Sequence, residues 1–337
     1  SIISNVVNAF DFYAIDDDLL LIDNIVIEDI PVDINATNFY VAATGSDAND
    51  GTTPATAWAT LGHALTALEG IGIQLNPTAF VTPTQAQPLP TQNWAVINVG
   101  TGMYVGEKNL TADTLDIYRY GYSNTTPIVR NEQLHNFLLV KGAGIGKTIF
   151  VDQLCSNDAK FKVYSRWARL EDFTLWATGL GGGETFFLDP IHFRPVDGLG
   201  MDFRVERVQV RPAPGAPPEL LGNRAGVSFL ANWNDCRNKV VRGCLFNEIG
   251  IGVKNYNNPS RYPVLVENCT FADLNGAPFG GRGIGVLCEG AGGWVRNCLF
   301  VNVTTNAPDL TRGIGVNAWP IVAGNLKTAF SQIFLAG

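Results

Sequence analysis

Five segments decide the fold: ARLEDFTLW (168–176), FRVERVQV (203–210), VVRGCLF (240–246), LVENCTF (265–271) and WVRNCLF (294–300). When they are aligned, one charged residue of each falls in a single column, and successive members lie 25 to 36 residues apart: Glu171, Glu206, Arg242, Glu267 and Arg296. Three flanking columns are apolar: Leu170, Val205, Val241, Val266 and Val295; Phe173, Val208, Cys244, Cys269 and Cys298; and Leu175, Val210, Phe246, Phe271 and Phe300. A repeat at this interval is the signature of stacked structural units.

A second repeat falls in the gaps of the first and reads GVSF (226–229), IGIGVK (249–254), RGIGVL (282–287) and RGIGVN (312–317). Each unit therefore contains at least two short strands and a turn. Such a unit cannot bury its apolar face alone and must stack on its neighbours. The two repeats together predict an all-β solenoid of parallel strands, with the apolar columns inside.

The front of the chain has a different pattern. Strand FYVA (39–42) precedes the polar turn SDANDG (46–51), and Thr53 and Pro54 are typical of a helix start. We expect a capping helix from there to Gly70, with one apolar face made by Trp58, Leu61, Leu65 and Leu68. The chain thus divides into an acidic arm (1–37), a region of strand, turn, helix and loop (38–93) and a solenoid (94–337).

Charge separates these regions further. The 337-residue chain is 46% hydrophobic and 16% charged, which excludes intrinsic disorder, and its net charge is −8. Residues 1–107 contain twelve Asp or Glu and no Lys or Arg. This argues against nucleic acid or an anionic membrane as partner. It favours an arm that docks on another chain, although a strand folded back on its own domain explains it equally well. We see no signal peptide and no membrane-spanning run.

The sequence resembles the pectin-lyase-like family of right-handed parallel β-helix proteins. The resemblance covers residues 38–317 and rests on FYVAATGSDANDGTTPATAWATLGHAL, on INVGTGMYVGEKNL with LLVKGAGIGKTIF, and on VENCTF and VRNCLF, where Asn268 and Asn297 occupy the bend. It implies a right-handed single-stranded parallel β-helix with an N-terminal capping helix. Because this fold carries lyases, hydrolases, epimerases, adhesins and tail spikes, it indicates function only weakly.

Two acidic residues are the candidate catalytic groups. Glycoside hydrolysis uses two carboxyl groups about 5–9.5 Å apart, and adjacent units place Glu171 and Glu206 within reach of that range. The alternative, which we favour, is a surface ladder in which Arg242 and Arg296 neutralise the glutamates. Trp176 and Trp233 are candidate carbohydrate-stacking residues.

Three further motifs have structural explanations. GAGIGKT (142–148) has Lys141 where a phosphate-binding loop needs its first Gly, so a turn between strands explains it better. Oxygens of Asp47, Asn49 and Asp50 are a candidate Ca²⁺ site, but Gly51 breaks the EF-hand spacing and a turn capped by its own side chains is favoured. The Cys column is favoured as buried free thiols over a disulfide or metal site.

These patterns lead to two functional hypotheses. The first is a structural, receptor-binding protein of a virus particle, such as a tail spike or capsid decoration protein. It would form a homotrimer, attach to other particle proteins through residues 1–37, bind surface polysaccharide, and need no cofactor other than a possible Ca²⁺. The alternative is a polysaccharide lyase or glycoside hydrolase acting on an acidic or capsular glycan. A secreted or cell-surface adhesin shares the same features.

Overall fold

A computed structural model describes residues 36–68, 95–106, 115–117, 138–151, 161–163, 167–177, 189–193, 199–200, 202–216, 224–232, 235–236, 238–258, 263–274, 283–289, 293–303, 314–319 and 333–336. Residues 1–35 of the proposed arm and the loop at 76–93 lie outside this part of the chain. No helix within these ranges is long and apolar enough to cross a membrane.

Short strands dominate the described residues. Besides one 3₁₀ turn, Pro54–Thr56, and one helix, α1 (Leu61–Leu68), the elements are β1 (Thr37–Val41), β2 (Ala95–Val99), β3 (Gly102–Val105), β4 (Leu115–Ile117), β5 (Leu138–Lys141), β6 (Thr148–Val151), β7 (Phe161–Val163), β8 (Trp167–Ala177), β9 (Ile191–Phe193), β10 (Leu199–Gly200), β11 (Asp202–Pro212), β12 (Ala225–Asn232), β13 (Asp235–Cys236), β14 (Lys239–Arg242), β15 (Leu245–Asn247), β16 (Ile251–Asn258), β17 (Val264–Glu267), β18 (Thr270–Ala272), β19 (Ile284–Glu289), β20 (Gly293–Arg296), β21 (Leu299–Val301), β22 (Ile314–Trp319) and β23 (Ile333–Ala336).

The strands form three parallel series. The first runs β1-β2-β5-β8-β11-β14-β17-β20-β23, the second β3-β6-β8-β11-β15-β18-β21, and the third β4-β7-β9-β12-β16-β19-β22. Strands β8 and β11 are long enough to belong to both of the first two series, and β10 pairs with β13 in a small separate sheet. Along the sequence, the strands visit the first, second and third series in a repeating order. This is the mostly β, parallel-stranded arrangement expected from the repeats.

The register confirms the aligned columns. Glu206 pairs with Glu171 on one side and with Arg242 on the other, and Glu267 lies between Arg242 and Arg296. In the third series, Val227, Val253, Val286 and Val316 are likewise in register, as the second repeat predicted. Within the first series, Leu170, Val205, Val241, Val266 and Val295 are all buried. Alternation along each strand therefore sends these residues inward and the charged column outward.

Bends between the first and second series require a left-handed backbone. The residue after each charged position has a positive φ at Asp172 (61°), Arg207 (51°), Gly243 (60°), Asn268 (54°) and Asn297 (51°). Asp, Asn and Gly tolerate this conformation best, so the expected bend at Asn268 and Asn297 is confirmed. A second bend column, after the second series, contains Glu248, Asp273 and Asn302.

The GAGIGKT motif forms a turn between β5 and β6. Gly146 has a φ of 74°, and Thr148 begins a strand where a phosphate-binding loop would begin a helix. The Thr148 hydroxyl accepts from the Ala143 N–H at 2.8 Å and donates to the Gly100 carbonyl at 2.9 Å. The motif thus ties two neighbouring turns together.

The expected helix from Thr53 is wrong in its starting point. Thr53 does cap a helical turn, with a reciprocal capping box to Thr56, but that turn is the short 3₁₀ segment. The backbone then becomes extended at Ala57 (ψ 144°), and Trp58 bridges Val41 as a strand residue. α1 begins only at Leu61, because the backbone of Trp58 bonds to both Tyr40 and Ala42 and cannot also join a helix.

A stack of phenylalanines should carry much of the stability. Phe271 is fully buried, with ring centroids 5.2 Å from Phe246 and 4.9 Å from Phe300. We expect Phe271→Ala to lower the free energy of unfolding by about 3–5 kcal/mol, because it leaves a cavity between stacked rings. Urea unfolding followed by circular dichroism measures this. The neighbouring, outward-facing Thr270→Ala is the control, with an expected change below about 0.5 kcal/mol; equal losses in both variants would contradict the assignment.

Candidate functional site

The outer side of the first series and its bend carries a concentration of charge, which we call the charged face. Its members are Lys141, Arg169, Glu171, Asp172, Arg204, Glu206, Arg207, Arg242, Glu267 and Arg296. Parallel register creates it, since Lys141, Glu171 and Glu206 follow one another across adjacent strands. Arg169 and Arg204 form a second outward column beside them and are 4% and 5% exposed.

Arg207 is the centre of the face. Its Nη2 lies 2.7 Å from Glu171 Oε2, its Nε 2.6 Å from Asp172 Oδ1, and its Nη1 3.1 Å from Glu206 Oε2. The guanidinium is planar with several fixed N–H donors, which allows one side chain to bind three carboxylates. Hydrogen bonding to Asp172 is the main reason that the pKa of Arg207 is raised far above its usual value, so this cation stays charged.

The remaining carboxylates are paired in the same way. Glu267 accepts from the Nε of Arg242 and lies 2.6 Å from Arg296 Nη2, while Arg242 Nη1 also reaches Glu206 Oε1 at 3.6 Å. Arg204 Nη1 approaches the same Glu206 oxygen at 3.9 Å. Together with Arg207 from the bend, the column therefore forms a continuous ladder of carboxylates and guanidinium groups.

The glutamates of the ladder are more buried than ordinary surface ion pairs. Glu171 and Glu206 are 8% exposed and Glu267 is 6% exposed. Burial raises the pKa of Glu171, and the negative charge of Glu206 raises it further, against the opposing effect of Arg207. A carboxyl group with a raised pKa beside a second carboxylate is the arrangement that a general acid requires. The carboxyl groups of Glu171 and Glu206 therefore belong both to the ladder and to the candidate catalytic pair.

Of the two tryptophans predicted to stack on carbohydrate, the structure describes only Trp176. Trp176 is in β8, in register with Arg211 of β11, and is partly exposed on the second series. Near it, Thr174 donates to Gln209 and Gln209 donates to Asn247, each at 3.2 Å. Trp233 lies outside the described residues. The structure therefore places Trp176 on a different series from the charged face.

Sequence reasoning missed Asp172 and Arg207, the two ladder groups located at the bend. Both immediately follow a residue of the charged column, so the repeat already assigns them to one bend position. An aspartate and an arginine at equivalent positions of neighbouring units are a signal for contact. Arg169 and Arg204 were likewise missed, although they align two residues before the glutamates.

The turn proposed for Ca²⁺ uses its oxygens internally. Asp47 accepts from the backbone N–H groups of Ala59 and Thr60 at 2.9 and 3.0 Å, just before α1 begins. Asp50 accepts from the hydroxyl of Thr56 at 2.6 Å, which lowers the pKa of that carboxyl. The Asn49 amide donates to the Ala57 carbonyl at 3.0 Å. These bonds match the capped turn; calcium binding stays a prediction. Across the described ranges, no cluster of three or more His, Cys, Asp or Glu has metal-binding geometry.

The cysteine column contains free thiols. Sγ of Cys244 and of Cys269 donates to the carbonyl of Val205 and of Val241 at 3.3 and 3.5 Å, and Cys298 repeats the pattern. Contacts between the stacked thiols and burial raise the pKa of Cys269 and of Cys298. The expected role as small buried residues is confirmed for Cys244 and Cys269, whereas Cys298 is only partly buried. All three thiols are free, so the disulfide alternative is wrong there.

A second polar cluster lies on the third series. The His192 Nδ1 and Ser228 Oγ are 2.7 Å apart, and Asp189 accepts from the backbone N–H of Ala225 at 2.7 Å. All three side chains are buried, and burial raises the pKa of Asp189. With 2% exposure at both His192 and Ser228, the side chains of this cluster are shielded from solvent.

Comparison with known proteins identifies no similar protein. Protein-family models, curated proteins and solved structures all give no match to this sequence.

The raised pKa of Glu171 predicts a pH-dependent effect of its substitution. Because folding raises this pKa above the usual value of 4.5, the stability contributed by Glu171 is complete below that value and is lost as pH rises through the folded-state pKa. Glu171→Gln, which resembles the neutral acid, should therefore gain stability relative to the unsubstituted protein as pH rises above that usual value. Thermal melts across this range provide the measurement.

Asp50→Asn is the matched control, because the pKa of Asp50 is lowered by folding. The stability contributed by Asp50 is present above the usual value of 3.8 and is lost as pH falls, so this variant should lose stability relative to the parent as pH rises. A Glu171→Gln difference that does not change with pH, or that changes in the same direction as the Asp50→Asn difference, would contradict the assignment.

Proposed function

We propose that the protein is a right-handed single-stranded parallel β-helix and serves as a structural, receptor-binding protein of a virus particle, of the tail-spike or capsid-decoration type. The observation that carries this proposal is the charged face, where each ladder carboxylate is held by an arginine. Such a face stiffens the stack and leaves no unneutralised acid in the ladder for chemistry. The pectin-lyase-like resemblance and the base-free, acidic residues 1–107 support the same conclusion.

In this proposal the protein acts as a homotrimer. Support comes from apolar side chains that remain exposed at the β20–β21 end: Trp294 is 47%, Leu299 57% and Val301 38% exposed. Exposed apolar clusters of this kind mark association surfaces. The acidic arm, residues 1–37, attaches to other particle proteins, and the stacked faces present a surface for polysaccharide of the host cell.

Light scattering tests the association state. We expect the purified protein to have three times its 36.4 kDa monomer mass. Leu299→Asp should shift the protein to monomers, because a carboxylate in a buried apolar interface is costly. Met103→Asp is the matched control, since Met103 is 51% exposed in the equivalent column of β3, at the other end of the series. A stable parent monomer, or equal effects of both variants, contradicts the trimer.

Immunogold electron microscopy of purified virus particles, with serum against the recombinant protein, tests the location. Labelling at one site of the particle is the expected result, and consistently unlabelled particles overturn the proposal. Replacing Asp16, Asp17 and Asp18 by Asn in the virus should reduce incorporation of the protein without unfolding it. Unchanged incorporation would contradict attachment through the acidic arm.

A second candidate function is favoured by one observation, the raised pKa of Glu171 beside Glu206. In a polysaccharide lyase or glycoside hydrolase, Glu171 would be the acid and Glu206 its partner. Capsular, pectic and alginate-type polymers are screened for new reducing ends or unsaturated uronate. If activity is found, Glu171→Gln should lower it at least about 100-fold, as expected for loss of a general acid, whereas Glu267→Gln, a ladder residue outside the pair, should retain it. Activity retained in both Glu171→Gln and Glu206→Gln rejects this assignment.

A further inference from the structure

Lys239 is buried inside the stack. It occupies an inward position of β14, in register with Phe203 and Val264, and is 1% exposed. Both neighbours belong to the apolar core, as does Val241 two residues later. A lysine is the residue type that such a position least favours, because removing an ammonium group from water is costly. Its presence needs a specific partner.

One partner of Lys239 is Asn255 on the third series. Asn255 is in register with Phe229 and Cys288 and is fully buried. The Nζ of Lys239 donates to the Asn255 Oδ1 at 2.8 Å. The contact therefore crosses the interior from β14 to β16 and joins two positions separated by 16 residues.

This pairing brings a nucleophile to a carbonyl carbon. The amide C=O bond of Asn255 is about 1.23 Å long, so Nζ lies within about 4 Å of the Asn255 Cγ. The neutral amine is the nucleophilic form of lysine. Holding the two groups in contact replaces an encounter in solution, and exclusion of water removes the competing hydrolysis.

We propose that Lys239 and Asn255 form an intramolecular isopeptide bond after folding. A bond forms between Nζ and Cγ, the bond between Cγ and Nδ2 breaks, one proton passes from Nζ to Nδ2, and ammonia leaves. The reaction needs no oxidant, reductant or added co-reactant. The product is an amide link between the first and third series that closes residues 239–255 into a covalent ring. Such a ring prevents one repeat from unwinding, as a disulfide of similar span does.

Intact-mass spectrometry of the full-length parent tests the proposal without any variant. After incubation of the folded protein, the expected mass is lower than the sequence mass by about 17 Da, the mass of ammonia. Trypsin should then release residues 238–242 joined to residues 255–261, with Lys239 no longer cleaved. The parent at its full sequence mass, with Lys239 cleaved after unfolding, overturns the proposal.

Cyclisation of an asparagine on its own backbone also removes ammonia, so the mass change alone does not suffice. A mass loss with the two peptides separate therefore counts against the isopeptide bond. Lys239→Arg should abolish both the mass loss and the linked peptide, because a guanidinium is not nucleophilic. Lys254→Arg, at the residue next to Asn255, is the matched control and should retain both. A linked parent should also melt at a higher temperature than Lys239→Arg.

Discussion

In-register parallel stacking is the constraint on which the rest of the structure depends. Each strand places its side chains directly beside the equivalent side chains of the next strand, about 4.8 Å away. Side chains of the same type therefore lie next to each other, unless the sequence changes from unit to unit. For apolar columns this produces stacked rings such as Phe246, Phe271 and Phe300. For charged columns it brings two carboxylates together wherever two consecutive units contain glutamate.

In the charged face, arginine side chains offset the repulsion between these carboxylates. Glu171 and Glu206 are direct neighbours in the charged column, so their own column supplies no cation between the two carboxylates. The cation comes instead from the bend, where Arg207 has a left-handed backbone conformation that is uncommon for a long side chain. From this position one guanidinium contacts Glu171, Asp172 and Glu206. The electrostatic gain explains why this unit has an arginine where later units have Gly or Asn.

Much of this organisation was predictable from sequence. The repeat assigned the columns, the register and the inward face correctly, because side-chain periodicity is a local property of each segment. It also assigned Asn268 and Asn297 to the bend. The helix start was wrong because a tertiary hydrogen bond, between Trp58 and β1, outweighed a good local cap. Arg207 and the Lys239–Asn255 contact were missed because each joins residues that belong to different columns or different series. Such contacts depend on how the strands are arranged in space.

The same physics separates the two candidate functions. A hydrogen bond to a charged group contributes about 1.5–3 kcal/mol, and Arg207 makes such bonds to three carboxylates at once. A substrate that used Glu171 as an acid would have to weaken one of them in a site where the glutamates are already shielded from water. Catalysis selects groups whose interactions strengthen in the transition state, whereas this ladder is fully engaged before any ligand arrives. Because these charges pair carboxylates and guanidinium groups of neighbouring strands, the ladder favours the structural proposal over the catalytic one.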